Sequence, residues 1–291
     1  MILTADDYGI SRSVSAGIRE LLERKRLTSV SCMVTDPGAC SDLAALRHVS
    51  ANFDTGLHLV LTDVPPLSRP TRGDALVDVD GHMRSFTQLA MLAHCGRLNG
   101  QSLYVEIREQ VLKFRQVYGR LPDFIDGHQH VHALAVIRDA LVAVHENLRL
   151  SAYIRQFTLP HRWVAKTAWK FSSRLAAEAL VIHLQSQPLA GLLREKRIPS
   201  NRWLLGHYPY HSEYRFADVF REYISVSPTA GDLFYCHPGY VDAELEARDR
   251  LTGPRVEILK FLLSDRFIDL IEANGIKLQK MNIPKALEAE L

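Results

Sequence analysis

Short apolar runs alternate along this chain with segments in which apolar residues recur at helical spacing. Near the start, Ser11 or Ser13 can cap a helix whose apolar residues return every three or four positions. A strand is predicted over 28–34, which is rich in Ser, Val and Thr, and a helix over 103–118. The strand DFID and a further helix follow. Strands that alternate with helices in this way predict a parallel sheet of the α/β class.

One large domain is expected to span residues 1–291, because this length is near the upper limit for a single hydrophobic core. One or two C-terminal helices are predicted before Gly275, a candidate C-cap. Residues 63–85 contain three prolines and two glycines and are predicted to form a long loop, and loops of this length usually cover a site. Periodicity alone does not decide whether the sheet closes into a barrel.

Acidic and histidine side chains stand where four of the apolar runs stop. The segments are TADDYG at 4–9, GLHLVLT at 56–62, DGHQHVH at 126–132 and LFYCHP at 233–238. In α/β sheets the loops at the carboxyl ends of the strands converge on one place. These groups therefore predict a single pocket that could hold a metal bound by carboxylate and histidine.

Asp6 and Asp7 are neighbours, so their side chains point in different directions from an extended or turning backbone. One of them can bind a metal while the other faces a water molecule that attacks the substrate. The alternative is an ordinary acidic pair at a helix N-terminus, where the helix dipole favours negative charge.

Histidines supply the other candidate ligands. A lone histidine in an apolar strand, such as His58, is more often a core residue than a ligand. At alternate positions of an extended segment, however, His128, His130 and His132 would share one side, and such a cluster favours a metal or an acidic partner. Asp126 could orient one of these imidazoles without binding the metal itself. The alternative is a surface histidine cluster without a ligand.

A metal held by one carboxylate and two imidazoles keeps positions open for water and substrate, as a hydrolytic site requires. His237 could then be the general acid that protonates the leaving group. Judged alone, it could equally be an ordinary loop histidine before Pro238.

Basic residues are concentrated in residues 161–202, a segment named the basic insertion below. It carries a local charge of +6, whereas the whole chain carries +2 and the remainder therefore −4. The small total argues against nucleic acid as a partner. Basic residues at four-residue spacing predict an amphipathic helix, whose charged face is either only solvated or contacts an anionic membrane surface or a phosphate-bearing glycolipid. Trp163 and Trp169 suit either interface anchoring or sugar stacking.

The four cysteines include no CxxC pair, which in a chain of this length indicates free thiols in a reducing compartment. The first residues leave no room for a signal peptide, and no apolar run is long enough to span a bilayer. A cytoplasmic protein is expected, with peripheral membrane contact through the basic insertion as an open alternative.

The strings TADDYGIS, GLHLVLT, DGHQHVH and YCHPGY, in this order, resemble the YdjC-type carbohydrate deacetylases, a family that includes chitooligosaccharide deacetylase and a hopanoid-biosynthesis-associated member. The resemblance covers about residues 1–160 and 228–280. It implies a distorted (β/α) barrel related to the NodB-type polysaccharide deacetylases, here with the helical basic insertion. It also implies metal-dependent removal of an N-acetyl group from an amino sugar.

The resemblance assigns roles by position. Asp6 matches the catalytic base, and His237 resembles a late catalytic histidine. The implied metal ligands are Asp7, His58 and His128. The residues expected to support these ligands or to contact substrate are Asp126, His130, His132 and Arg155. The stretch 160–227 departs from the family, being longer, more basic and more helical than a compact oligosaccharide deacetylase needs.

The predicted function is hydrolytic N-deacetylation of an amino sugar, in an oligosaccharide or a glycolipid, with one divalent metal ion of Zn, Mg, Mn, Co or Ni. One alternative is another barrel metallohydrolase, which would cleave a phosphoester or a cyclic amide. A second is a barrel that only binds sugar or lipid head groups. A homodimer is compatible with the sequence.

Overall fold

A computed structural model describes residues 1–71, 73–160, 184, 186–207, 215–225 and 228–282. The strands are β1 (Ile2–Tyr8), β2 (Ser29–Cys32), β3 (Asp54–Leu59), β4 (Phe124–Gly127), β5 (Tyr153–Ile154), β6 (Leu204–Leu205) and β7 (Leu233–Cys236). The α-helices are α1 (Arg12–Glu23), α2 (Pro37–Ala45), α3 (Phe86–His94), α4 (Gly100–Tyr118), α5 (Ala135–Asn147), α6 (Phe216–Ile224), α7 (Ala243–Arg248), α8 (Gly253–Leu263) and α9 (Asp265–Ala273). Short 3-10 helices lie at Leu46–His48 and His128–Ala133, and residues 186–195 are also helical.

The strands form one parallel sheet in the order β5-β4-β3-β2-β1-β7-β6. The sheet curls until its two edges meet. There the N–H of Ile154, in β5, donates to the carbonyl of Pro199, which precedes β6 in the chain, at 2.9 Å. Beside this bond, the side-chain amide of Asn201 accepts a hydrogen bond from the backbone N–H of Gln156 at 2.9 Å and donates one to the carbonyl of Gln156 at 3.0 Å. These individual bonds, named the seam below, replace a regular ladder. The predicted distorted (β/α) barrel is confirmed.

Local sequence signals place the helices around this sheet. Helix α1 begins at the predicted cap, where the Ser11 hydroxyl accepts a hydrogen bond from the N–H of Val14 at 3.3 Å. Helix α4 ends at Gly119, whose φ of +89° lies in the left-handed region that favours glycine. The strands are buried throughout, as expected when helices cover a parallel sheet.

Residues 63–85 form the long loop that their proline and glycine content predicts, with neither a helix nor a strand among its described residues. Helix α4 anchors its start. The buried carboxylate of Glu106 accepts hydrogen bonds from the N–H groups of Leu67 and Ser68, at 3.2 and 2.7 Å. The loop is therefore fixed beside the carboxyl end of β3.

Most of the basic insertion lies outside the described residues, which include only 184 and 186–202 of it. Its helical stripe and the boundaries of a single 1–291 domain therefore stay predictions. Within the part of the chain that is described, no helix combines the length and the apolar character needed to span a membrane.

Candidate active site

The side chains that the sequence singled out lie at the carboxyl ends of five strands. They are Asp6 and Asp7 of β1, His58 of β3, Asp126 and His128 at the end of β4, Arg155 after β5, and His237 after β7. Because every strand pair is parallel, these ends share one rim of the barrel.

Asp6 and Asp7 face different partners because β1 is irregular near its end, where its register with β2 shifts. Asp7 has a φ of +65°, in the left-handed region that residues other than glycine rarely adopt. Its carboxylate turns toward two histidines, whereas that of Asp6 turns toward Arg155. Backbone strain of this kind persists only where surrounding contacts fix it, and it is common at functional sites.

Asp7, His58 and His128 form a cluster that fits a metal ion. Oδ1 of Asp7 lies 3.2 Å from Nε2 of His58 and 3.0 Å from Nδ1 of His128, and each residue offers one ligand atom within 4.8 Å of the others. Two ligands on a tetrahedral cation with bonds of about 2.1 Å are roughly 3.4 Å apart, so these separations suit one shared ion. The structure thus brings together the three residues that the resemblance implies as ligands.

Behind this cluster, Asp126 orients His58. Nδ1 of His58 lies 2.7 Å from Oδ1 of Asp126, and the Ser31 hydroxyl donates to the same oxygen. A proton on Nδ1 leaves the lone pair of Nε2 directed at Asp7. Burial disfavours a charge on His58, but the charge of Asp126 and bonds to both carboxylates outweigh it and raise the pKa of His58 to about 10. A cation at Nε2 would therefore displace a proton.

Arg155 binds the carboxylates of Asp6 and Asp126. Its fully buried guanidinium donates to both oxygens of Asp6, at 2.7 and 2.8 Å, and lies 2.5 Å from Oδ2 of Asp126. Burial opposes ionisation of Asp126, yet the charges of Arg155 and His58 hold the pKa of Asp126 well below its usual range. Asp6, His58 and Asp126 are also close enough to bind a cation, but the guanidinium already occupies both carboxylates. The Asp7 cluster is therefore the better metal site.

Arg255 of α8 also belongs to the site, although no motif marked it. Its buried Nη2 donates to Oδ2 of Asp7 at 2.6 Å and to Oδ2 of Asp249 at 2.5 Å. Burial opposes ionisation of Asp7, but the charges of Arg255 and His128 hold the pKa of Asp7 well below its usual range. Oδ2 of Asp7 is thus bound to Arg255, while Oδ1 faces the histidines.

The prediction that His128, His130 and His132 share one side of an extended segment is wrong. His128–Ala133 is a 3-10 helix that contains two consecutive residues with φ of +52° and +59°. His130 packs against two aromatic rings, and the buried Nε2 of His132 donates to the carbonyl of Arg155 at 3.0 Å. The turn separates the three imidazoles, and His128 is the one of them that contacts Asp7.

His237 approaches a different oxygen of the Asp7 carboxylate from the one that the two histidines of the cluster approach. Its Nε2 is 3.8 Å from Oδ2 of Asp7, and its side chain is 16% exposed. Burial lowers the pKa of His237, and the charges of Asp7 and Asp6 oppose this only in part. The imidazole is neutral at rest, and its protonated form is a stronger acid than a histidine in water.

A cleft of about 540 Å³ leads to this cluster, with His128 in its wall. Asp63 and His82 line it from the 63–85 loop, and Arg248 and Asp249 line it from the C-terminal side. A cavity of about 640 Å³ lies within the loop itself, but none of the predicted site residues is among the residues that line it. The 540 Å³ cleft is therefore the candidate substrate site.

Removal of the Arg155 charge is expected to destabilise the fold. In an Arg155→Met protein, Asp6 and Asp126 would stay buried without their cation, and breaking a buried pair in this way typically costs about 3–5 kcal/mol. Urea unfolding at pH 7 measures the loss. The control is Arg120→Met, because Arg120 pairs with Asp123 at the surface and its side chain is 46% exposed. That variant should lose about 1 kcal/mol at most, and equal losses in the two variants would contradict the role of Arg155.

His132 is expected to make the metal-free protein sensitive to acid. Burial lowers the pKa of His132 to about 4, against the charge of Asp126 and a backbone hydrogen bond, from 6.5 in the unfolded chain. Between these values the unfolded chain binds a proton that the folded protein does not. The stabilisation is therefore complete above pH 6.5 and is lost as the pH falls, by about 2 kcal/mol between pH 7 and pH 5.

A His132→Gln protein tests this expectation, because glutamine keeps a donor for the Arg155 carbonyl but does not titrate. Urea unfolding with a chelator at pH 7 and pH 5 should show a smaller loss for this variant than for the wild type. His94→Gln, at an exposed position, is the matched control and should behave as the wild type does. Identical pH dependence in all three proteins would show that His132 does not carry the effect.

Comparison with known proteins identifies relatives along the whole chain. A carbohydrate deacetylase of Enterococcus faecalis is 24% identical over 286 residues, which are 96% of this chain and 95% of that protein. A chitooligosaccharide deacetylase of Serratia marcescens is 33% identical over 132 residues, 45% of this chain and 50% of that protein. A carbohydrate deacetylase of Danio rerio is 30% identical over 146 residues, and the match spans 45% of that protein's length.

Among solved structures, a protein of Enterococcus faecalis V583, provisionally described as a cellobiose-phosphate cleavage protein, superposes with a TM-score of 0.72. It is 20% identical, and the match covers 96% of each chain, which supports the barrel fold. The profile of the YdjC-like protein family matches residues 1–273. The match includes every strand and helix given above, and the chain belongs to the YdjC-like family.

Proposed function

We propose that this protein is a metal-dependent hydrolase that removes an N-acetyl group from an amino sugar. The observation that carries the proposal is the convergence of Asp7, His58 and His128 at the edge of an open cleft, beside a second carboxylate, Asp6, that a separate arginine holds. A hydrolytic site of this kind needs a cation with free positions and a nearby base. The relatives named carbohydrate deacetylase and chitooligosaccharide deacetylase support the same reaction.

Asp7, His58 and His128 would hold the divalent ion, which could be Zn, Mg, Mn, Co or Ni, since mixed oxygen and nitrogen ligands suit all of these. When bound, the ion polarises the acetamide carbonyl and lowers the pKa of a water molecule. The bond from Oδ2 of Asp7 to Arg255 leaves Oδ1 as its ligand atom. Asp126, which also accepts a hydrogen bond from Ser31, would hold one proton on Nδ1 of His58, so that the ion takes the place of the proton on Nε2.

Asp6 acts as the general base in this proposal, and His237 as the general acid. Arg155 donates one hydrogen bond to each oxygen of Asp6, and each oxygen retains a lone pair that can take a proton from the attacking water. Burial lowers the pKa of His237, so its imidazole would first take up a proton from solvent and the resulting imidazolium would be a strong donor to the departing amine, while Asp6 would return to solvent the proton it took from water. The two groups reach the Asp7 cluster from different strands.

The test is acetate release from a panel of N-acetylated oligosaccharides, glycolipids and nucleotide sugars. Purified protein that has been reconstituted with each metal in turn should release acetate, and mass spectrometry should show loss of one acetyl group. Protein treated with a chelator should release none, and activity should return with the metal. Phosphate release or opening of a cyclic amide would favour another metallohydrolase. Sugar binding without any product would favour a binding protein.

Three finer predictions accompany this function. The basic insertion could bring the enzyme to a glycolipid or a membrane surface, the protein could form a homodimer, and it could be cytoplasmic. The measurements are vesicle sedimentation, light scattering of purified protein and cell fractionation. None of these outcomes is needed for the deacetylase reaction itself.

A further inference from the structure

Arg255 of α8 directs a firmly held guanidinium at one oxygen of Asp7. The arginine is fully buried, and two bonds within its own segment fix its direction. Its Nε donates to the carbonyl of Leu251 at 2.8 Å, and its Nη2 donates to Oδ2 of Asp249 at 2.5 Å. The same Nη2 donates to Oδ2 of Asp7 at 2.6 Å. The guanidinium is therefore oriented by contacts that do not depend on Asp7.

The two oxygens of Asp7 face different kinds of group. Oδ1 lies 3.2 Å from Nε2 of His58 and 3.0 Å from Nδ1 of His128. Oδ2 accepts the bond from Arg255, while Nε2 of His237 lies 3.8 Å from it, beyond hydrogen-bond distance. A carboxylate can bind a cation through one oxygen or through both. An ion bound through both oxygens of Asp7 would come close to the guanidinium, and like charges at such short range repel strongly.

We propose that Arg255 is a positioning residue that restricts Asp7 to one metal-binding oxygen and thereby keeps a coordination position open for water and substrate. This inference rests on the proposed metal site and deepens it. A hydrolytic site needs open positions on its ion, whereas each further protein ligand fills one of them and strengthens the binding. Arg255 therefore lowers the affinity of the site for the ion and raises its capacity for catalysis.

The experiment compares metal binding by the wild type and by an Arg255→Met protein. Removal of the guanidinium releases Oδ2 of Asp7 and leaves the charge of Asp249 unbalanced, and both changes favour a cation. Titration with a divalent metal should therefore show binding that is tighter by about tenfold or more. A purely structural role of Arg255 predicts the opposite sign, because a loosened site binds its metal more weakly.

The number of ligands is measured with Co²⁺ alone. Bound Co²⁺ absorbs visible light strongly in four-coordinate sites and weakly in six-coordinate ones, so an additional oxygen from Asp7 should weaken this band in Arg255→Met. Acetate release, on the substrate that the panel identifies, should fall by about 10- to 100-fold despite the tighter binding, the usual cost in activity of losing a group that orients a ligand.

Two further variants separate orientation from charge. Arg255→Lys keeps the charge, so it should fold even if Arg255→Met does not, but its Nζ ends one bond short of the position of Nη2. It should show the same weakening of the Co²⁺ band. Arg248→Met is the matched control, because Arg248 lines the same cleft and pairs with two other carboxylates, those of Asp36 and Glu244. Its side chain is 42% exposed, so solvent screens its charge and both readouts should stay close to the wild type.

Weaker metal binding by Arg255→Met, or a Co²⁺ band that is unchanged in the Arg255 variants, would overturn the positioning role and leave the metal site standing. If Arg255→Met does not fold, the band of Arg255→Lys decides. A wild type that binds no divalent ion overturns the metal site itself and this role with it. If no N-acetylated sugar releases acetate, the deacetylase function fails, but the metal measurements need no substrate and still decide the role of Arg255.

Discussion

Proteins carrying His58→Ala or His128→Ala will bind a divalent metal at least about 100-fold more weakly than the wild type and will lose deacetylation with it. The loss of a residue that merely supports a metal ligand typically costs 10- to 100-fold in affinity, so removing a ligand itself should exceed that range. Asp7, His58 and His128 offer the three atoms of the cluster, and two ligands alone hold a cation poorly. Metal content after dialysis and metal titration measure the effect independently of turnover.

His82→Ala is the matched control for these ligand variants. His82 lines the same cleft but is not part of the Asp7 cluster, so this variant should keep full metal content. Stoichiometric metal in both His58→Ala and His128→Ala would exclude the cluster as the metal site. The group of Asp6, His58 and Asp126 could then be the metal site only if it bound the ion without His58.

An Asp6→Asn enzyme is expected to keep its metal and lose about 10²- to 10⁴-fold in kcat, the usual cost of removing a general base. Asparagine has nearly the same shape and still offers one oxygen to Arg155, while Asp126 continues to pair with the same guanidinium. The fold should therefore survive. Metal content and the thermal midpoint report on the site and the fold, and steady-state kinetics reports on the base.

The control for Asp6→Asn is Asp139→Asn, whose surface carboxylate pairs with Arg138. This variant should match the wild type in rate and metal content. A near-native rate in Asp6→Asn would show that another group, Asp126 or His237, activates the water. A loss of metal together with the rate would mean instead that Asp6 is a ligand.

The part of this site that could be predicted from the sequence is the set of polar residues at the strand ends. An apolar run that stops at Asp6, His58, Asp126 or His237 predicts both a buried strand and a polar group at its carboxyl end. Parallel pairing then brings such groups to one rim, whatever the details of the loops. The α/β class with a parallel sheet follows from the same alternation of strands and helices, whereas the barrel was implied by the resemblance to the YdjC-type deacetylases.

Contacts between distant segments and residues with positive φ angles could not be predicted from the sequence. Arg255 meets Asp7 across 248 positions of the chain, and an arginine at the start of an apolar helix is common for unrelated reasons. The positive φ angles of Asp7 and of the turn after His128 depend on tertiary packing, not on local propensity. Alternation therefore predicted a common face for three histidines that a tight turn separates.

The seam of the barrel has a consequence for how the protein loses activity. Gln156, which bridges the edge strands, directly follows Arg155 in the chain. A few bonds across a seam open more easily than a continuous ladder, so this part of the ring is expected to unfold locally before the remainder. Such an opening would shift Arg155 and release Asp6 while most of the helices stay folded. Mild denaturant should therefore inactivate the enzyme before it melts the protein.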